Sequence, residues 1–199
     1  ISLKKFTTNI SIRDPIEPSV LDAGCGGGGT SYHLHEMYPD AAFTLIDYNV
    51  EALNIAKEVT SNFNAKCYQR DIYQLSDYHE SYDLVVCMQT LLIFDDPFLA
   101  LEKLVKTCRK GGKIILCSLF NEYHDVDIES NIVDYTRKSS EKVTLTYKTL
   151  ALSRIIDRFK SDVRSIKYHP FDIGIDIPHK PKGLGTYTHL LANGARLQV

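Results

Sequence analysis

Six consecutive residues, Gly24-Cys25-Gly26-Gly27-Gly28-Gly29, do most to limit what this chain can become. They follow directly on an apolar run, Ser19-Val20-Leu21-Asp22-Ala23, and lead into Thr30–Tyr38, where Leu34 and Met37 lie on one side of a helix. A strand, a glycine turn and a helix in that order let backbone N–H groups approach a ligand that a Cβ would hold off. A flexible linker has no reason to sit between a buried strand and an amphipathic helix.

That unit is the first of several. Ala42–Asp47 reads as a second strand, and Asn49 as the N-cap of a helix reaching about Asn62, with Val50, Leu53 and Ala56 facing inward. Ala65–Gln69 and Tyr82–Met88 read as strands three and four. Asp96 and Pro97 open a helix whose Phe98, Leu101, Leu104, Val105 and Cys108 form one stripe. Lys106, Arg109 and Lys110 then suit its negative end, and Gly111-Gly112 its stop. Strand five is Lys113–Leu119. A weakly patterned insert, about Asn121–Lys142, precedes a helix capped by Thr149 and carrying Leu152, Ile155, Ile156 and Phe159. Val163–Ile177 and Gly185–Leu191 read as extended, and Asn193-Gly194 as a two-residue hairpin turn into Ala195–Val199. This alternation predicts an α/β fold: one Rossmann-like domain over residues 1–199 with a mostly parallel sheet flanked by helices. Residues 1–18 would be a short N-terminal segment and 19–119 the cofactor-binding half. Residues 120–199 would supply the insert, last helix and closing strands.

Composition narrows the partners. At 199 residues the chain is about one domain, and 44% hydrophobic content is enough for a core. With 23 Lys+Arg against 25 Asp+Glu the net charge is −2. A chain that grips phosphate backbones by counterion release is usually clearly basic, so nucleic acid is not the expected partner. No apolar run approaches the ~18 residues that span a bilayer, and no signal-peptide pattern is visible. The five cysteines are odd in number and form no C-x-x-C pair, which suits a reducing cytoplasm rather than a disulfide or zinc scaffold. His33 and His35 lack the i,i+4 spacing of a helical metal pair, and no metal is expected.

Two ligand classes fit the glycine loop. Gly24, Gly26 and Gly29 satisfy G-x-G-x-x-G with acidic Asp47 downstream, which would suit an NAD(P)-dependent oxidoreductase. Asp22 separates the two. A carboxylate at the strand end repels a pyrophosphate but welcomes an ammonium group, such as that on the methionine end of S-adenosylmethionine.

VLDAGCGGGG closely resembles motif I of class I S-adenosylmethionine-dependent methyltransferases, a hydrophobic strand running into D-x-G-x-G-x-G. YDLVVCM resembles the family's fourth strand, and Leu104–Leu119 its passage into strand five. The resemblance implies S-adenosylmethionine as cofactor, with Asp22, Gly24, Cys25, Gly26 and Gly28 around its methionine end. It places Asp47, beside Tyr48, at the ribose hydroxyls and Asp71 at the adenine amino group, with Ile72 lining the ring. Met88 and Gln89 close the site at the end of strand four. Cys25 would be a small loop filler rather than a nucleophile. The resemblance also implies a seven-stranded sheet with an antiparallel C-terminal strand and helices on both faces.

Methyl transfer is an in-line displacement at an activated carbon, so the protein mainly positions reactants and excludes water. A base is needed only for a protonated nucleophile. The family has no universal catalytic residue to carry over. His124, after strand five, is the best single candidate base because its ordinary pKa lies near neutrality. Strand four ends in MQT rather than the N/D-P-P-Y/F of many enzymes that methylate amino groups of nucleic acids and proteins. A small-molecule substrate is therefore expected, with O-, N- and C-methylation open; no membrane partner is expected, and a homodimer is compatible. A methyltransferase-fold subunit that binds without catalysing is the remaining alternative. Residues 1–18 offer little room for the family's N-terminal lid, as in a truncated lid, so a groove open on its substrate side is expected.

Overall fold

β1 (Ser19–Ala23) is the middle strand of a parallel sheet, which is why it is apolar towards both faces. The computed structural model describes residues 17–134, 143–170, 176, 178, 188–190, 192 and 196–198. These fall into two compact units, residues 17–166 and residues 167–198. The N-terminal segment expected to leave the groove open lies, up to residue 16, outside them.

In the larger unit β1 joins β2 (Ala42–Asp47), β3 (Ala65–Gln69), β4 (Tyr82–Met88) and β5 (Cys108–Cys117) in the order β3-β2-β1-β4-β5, all neighbours parallel. The chain first adds strands on one side of β1, then crosses to the other. Ligands of open α/β sheets bind beyond the strands' carboxyl ends at such a switch point. Alternate residues of β1 and β4 feed two apolar clusters. Val20, Leu84 and Val86 pack with Leu34 of α1 (Gly29–Met37) and with Leu53 and Ala56 of α2 (Val50–Val59). Leu21, Val85 and Cys87 pack with Ala100, Leu101 and Leu104 of α3 (Pro97–Thr107). Each such leucine or valine contributes about 1.5–3 kcal/mol by leaving water.

The expected helix caps agree with the structure, whereas Val50, expected to face inward on α2, is 50% exposed. Asn49 caps α2, its side chain accepting the N–H groups of Glu51 and Ala52. Asp96 accepts the N–H of Leu99 and Pro97 begins α3.

Several expectations need correction. Gly111-Gly112 does not stop α3, which ends at Thr107; both glycines lie within β5. Tyr82 pairs with Cys108 but Leu84 with Lys113, so two steps along β4 face five along β5. The three extra residues form an irregularity, with Gly111 at φ +83°. Arg109 and Lys110 accordingly lie past the helix.

Thr149 is not a helix cap either. It belongs to β8 (Val143–Ala151), and α4 follows directly as Leu152–Phe159. The capping is supplied from a distance: the Asp127 carboxylate accepts the Ala151 N–H at 2.7 Å and pairs with Arg154.

The expected seven-stranded sheet has five strands among the described residues. β8 finds its ladder partners locally, antiparallel to β7 (Ile128–Asp134) and parallel to β6 (Phe120–Asn121), in a separate three-stranded sheet. The weakly patterned insert thus supplies β7 and the second residue of β6, whereas β8 begins just after it. Residues 163–170 form no strand. In the smaller unit, β9 (Thr188–Leu190) and β10 (Arg196–Gln198) pair antiparallel with Leu190 opposite Arg196. A two-residue turn at Asn193-Gly194 would set Leu190 opposite Leu197, so the register is one residue away; the turn itself lies outside the described residues. No helix of the described residues is long and apolar enough to cross a membrane.

Candidate functional site

The carboxyl ends of β1, β2 and β4 converge around the glycine loop. Asp22, one residue before the end of β1, is 1% exposed. Its Oδ2 accepts a 2.7 Å hydrogen bond from the Ser31 hydroxyl, while its buried Oδ1 has no partner. Burial pushes the carboxyl pKa up to about 6; the Ser31 bonds oppose that shift and the nearby Asp47 charge adds to it. A buried carboxylate oxygen left without a donor is costly, and a cation brought to it would relieve that cost. Ser31 was not anticipated from the sequence. Its signal was its place three residues before Leu34 on the inward face of α1, where a buried hydroxyl needs a partner.

Asp47 ends β2 and is tied on both oxygens. Oδ2 accepts the Gly26 N–H and Oδ1 the Asn49 N–H, each at 2.8 Å. It is thus the post that holds the middle of the glycine loop, and Asn49, not Asp47, caps α2. Gly26 has φ +52°, and a Cβ there would meet nothing within 4 Å. That side of the loop is open, as a ligand cradle requires. Asp47→Asn offers one acceptor where two N–H groups point, so its amide would face a donor. We expect this variant to weaken S-adenosylhomocysteine binding about tenfold or more with a modest loss of melting temperature. Calorimetry and thermal unfolding check it.

The remaining candidate residues lie in the glycine loop or at and just past the ends of β2, β3 and β4. Gly24 and Cys25 both donate to the Ile46 carbonyl, and Gly28 donates to that of Cys25 and stands at the N-cap of α1. Cys25 is buried; burial first, then the Asp22 and Asp47 charges, hold its thiol far above the ordinary range. That favours filling over reactivity. Asp71 lies just past β3, its Oδ1 accepting the Tyr73 N–H at the start of a 3-10 segment, Ile72–Tyr78. Ile72 is 5% exposed and belongs to the core cluster that contains α3. Tyr48 is 76% exposed beside Asp47. Met88 ends β4, and Gln89 beyond it takes φ +56° while donating its N–H to the Cys117 carbonyl. A non-glycine residue in that region marks a locally strained turn, of the kind that clusters at functional sites.

His124 lies three residues beyond β6. It is exposed on a turn organised by Asn121, whose Oδ1 accepts the Tyr123 and His124 N–H groups. Among the described residues no hydrogen bond joins its ring to the glycine loop. No cluster of metal-ligating side chains occurs among the described residues.

A family model of the methyltransferase domain matches residues 17–150. Among curated proteins, the ubiquinone biosynthesis O-methyltransferase of Coxiella burnetii is 25% identical over 189 residues, covering 85% of this chain and 76% of that protein. A malonyl–acyl-carrier-protein O-methyltransferase of Priestia megaterium is 27% identical over 105 residues, covering 53% of this chain but only 38% of its own length. Among solved structures, the DhpI complex with S-adenosylhomocysteine superposes with a TM-score of 0.58 at 18% identity, over 80% of this chain and 72% of that one. It shares the fold. The family model covers more than half of the sequence, including every strand of the five-stranded sheet and the whole glycine loop, and the buried, donorless Asp22 oxygen suits a cationic cofactor rather than a pyrophosphate: the chain belongs to the methyltransferase domain family, in the class I group that uses S-adenosylmethionine.

Proposed function

We propose that this chain transfers the methyl group of S-adenosylmethionine to an oxygen of a small molecule. The observation that carries the cofactor half of this reading is the buried Asp22 carboxylate, one oxygen of which lacks a donor. Oxygen as acceptor is supported by the two curated relatives, both named O-methyltransferases. In this reading Asp22, Gly24, Cys25, Gly26 and Gly28 surround the methionine end. Asp47 and Tyr48 take the ribose, Asp71 and Ile72 the adenine, and Met88 and Gln89 the side towards the acceptor.

The cofactor, when bound, supplies a methyl group on a positively charged sulfur, already activated for displacement. The protein's own part is to bind, orient and exclude water. Asp47 fixes the glycine loop through Gly26, which lets the loop meet a ligand without paying for ordering at that moment. Asp22 contributes a negative charge in a site from which water is largely removed, where it acts more strongly than at the surface. His124, exposed on the turn that Asn121 organises, remains the candidate base, one that only a protonated acceptor would need.

The direct test is calorimetry of the whole chain with S-adenosylhomocysteine and with NADH. Binding of S-adenosylhomocysteine in the micromolar range, with none of NADH, is expected. Tighter binding of NADH would sink the reading. Labelled S-adenosylmethionine incubated with a metabolite extract then reports the acceptor by mass spectrometry; label on nitrogen or carbon would overturn the O-methylation part alone.

A further inference from the structure

Thr90 occupies the N-cap position of a three-residue 3-10 turn, Leu91–Ile93, yet its side chain makes no capping bond there. A threonine at such a position ordinarily turns its hydroxyl onto the N–H groups ahead of it. Here the hydroxyl points backwards. Oγ1 lies 3.2 Å from the Gly24 carbonyl oxygen, 66 positions away in sequence, and 3.1 Å from that of Met88. The fit is close on both sides: a Cβ built on Gly24 would come within 2.5 Å of both Thr90 Oγ1 and Cγ2. The preceding residue, Gln89, holds the turn with its left-handed backbone and its N–H on the Cys117 carbonyl at 2.7 Å.

A hydroxyl has one proton. Two carbonyl oxygens therefore share a single donor, and one of them always lacks it. The corner between the glycine loop and the end of β4 thus sets two carbonyl acceptors against one hydroxyl proton. It lies two residues beyond Asp22, whose second oxygen also lacks a donor.

Resting on the cofactor reading above, we infer that Thr90 is a positioning residue for the methionine end of S-adenosylmethionine. Its hydroxyl latches the Gly24 carbonyl to the end of β4 and so sets the acceptors that face the ammonium group. It acts through Gly24 and Met88 rather than on the transferred methyl. The methyl group of Thr90 fills space against Gly24, whereas the hydroxyl sets direction, so the two parts are separable by substitution.

The test compares Thr90→Val, which keeps the shape and loses the hydroxyl, with Thr90→Ser, which keeps the hydroxyl. Each is titrated with S-adenosylhomocysteine and with 5′-methylthioadenosine, which lacks the amino-acid end. Thr90→Val is expected to bind S-adenosylhomocysteine about tenfold more weakly and methylthioadenosine as the parent does. Thr90→Ser should recover most of the loss. In the ligand-free protein, amide exchange at Gly24–Gly28 should quicken in Thr90→Val and not in Thr90→Ser. If Thr90→Val does not fold, Thr90→Ala is compared with Thr90→Ser in the same way. Unchanged S-adenosylhomocysteine affinity in Thr90→Val overturns the inference, as does an equal loss for both ligands, or failure of serine to rescue. Those results leave the cofactor reading standing. Absence of S-adenosylhomocysteine binding by the parent protein overturns both.

Discussion

Asp22→Asn is expected to melt at a higher temperature than the parent protein without ligand near neutral pH, and to bind S-adenosylhomocysteine at least tenfold more weakly. The two effects have one cause. The asparagine oxygen can keep the Ser31 hydrogen bond, and its amide nitrogen replaces the oxygen that has no donor. What disappears is the charge. Burial raises the Asp22 carboxyl from 3.8 to about 6, so ionising it in the folded chain costs on the order of 3 kcal/mol. The folded state holds this proton more tightly than the unfolded one. Between about pH 4 and pH 6 it therefore binds more protons, and stability falls as pH rises through that window. Below it the penalty is absent, and above it the penalty is complete. The variant should lack this component of the pH dependence. Binding runs the other way: an ammonium group favours the ionised carboxylate, so affinity in the parent should fall as pH drops below about 6. Thermal unfolding and calorimetry across pH 4.5–8 read both. Equal affinity in variant and parent would remove Asp22 from the site.

The candidate site is legible in the sequence because its residues lie at or just past strand ends at fixed spacing. Asp22, Gly24 and Gly26 are read off one short stretch, and Asp47 off the end of the next strand. Asn49, Asp96 and Pro97 were equally plain, since a cap acts on the two or three residues after it. What failed was non-local. Gly111-Gly112 looks like a helix stop until the register jump between Tyr82 and Leu84 shows that β5 needs an irregularity there. Thr149 looks like a cap, but Asp127, more than twenty residues upstream, satisfies the Ala151 N–H. No sequence pattern announces the Thr90–Gly24 latch either, because its halves lie in separate strand-end loops. β8 is a different case. Val143-Thr144-Leu145-Thr146-Tyr147 alternates with a period of two, a strand signal masked by its place between the weakly patterned insert and the helix read as capped by Thr149.

At the opposite end of the strands, Asp83→Ala is expected to cost about 3 kcal/mol of stability and leave cofactor affinity unchanged. Asp83 is the second residue of β4, 3% exposed, at the amino ends of the strands, whereas the glycine loop lies at their carboxyl ends. Its Oδ2 accepts both the N–H and the hydroxyl of Ser19, each at 2.8 Å, and its Oδ1 pairs with Arg109. The Asp83 N–H in turn donates to the Ser19 hydroxyl oxygen at 3.2 Å. The carboxylate thus joins the first residue of β1 to β4 and to the irregular start of β5. Truncation leaves the Ser19 N–H with no acceptor and the arginine without its counter-ion, and an orphaned buried partner costs more than the intact bond contributes. The Arg109 side chain is 39% exposed, so solvent screens much of its share. Arg109→Gln should accordingly lose less than about 1 kcal/mol, and most of the Asp83 effect should persist in the double variant. Urea unfolding of the two single variants and the double closes that cycle. If Asp83→Ala and Arg109→Gln proved equally costly, the ion pair rather than the bonds to Ser19 would hold the strand starts together.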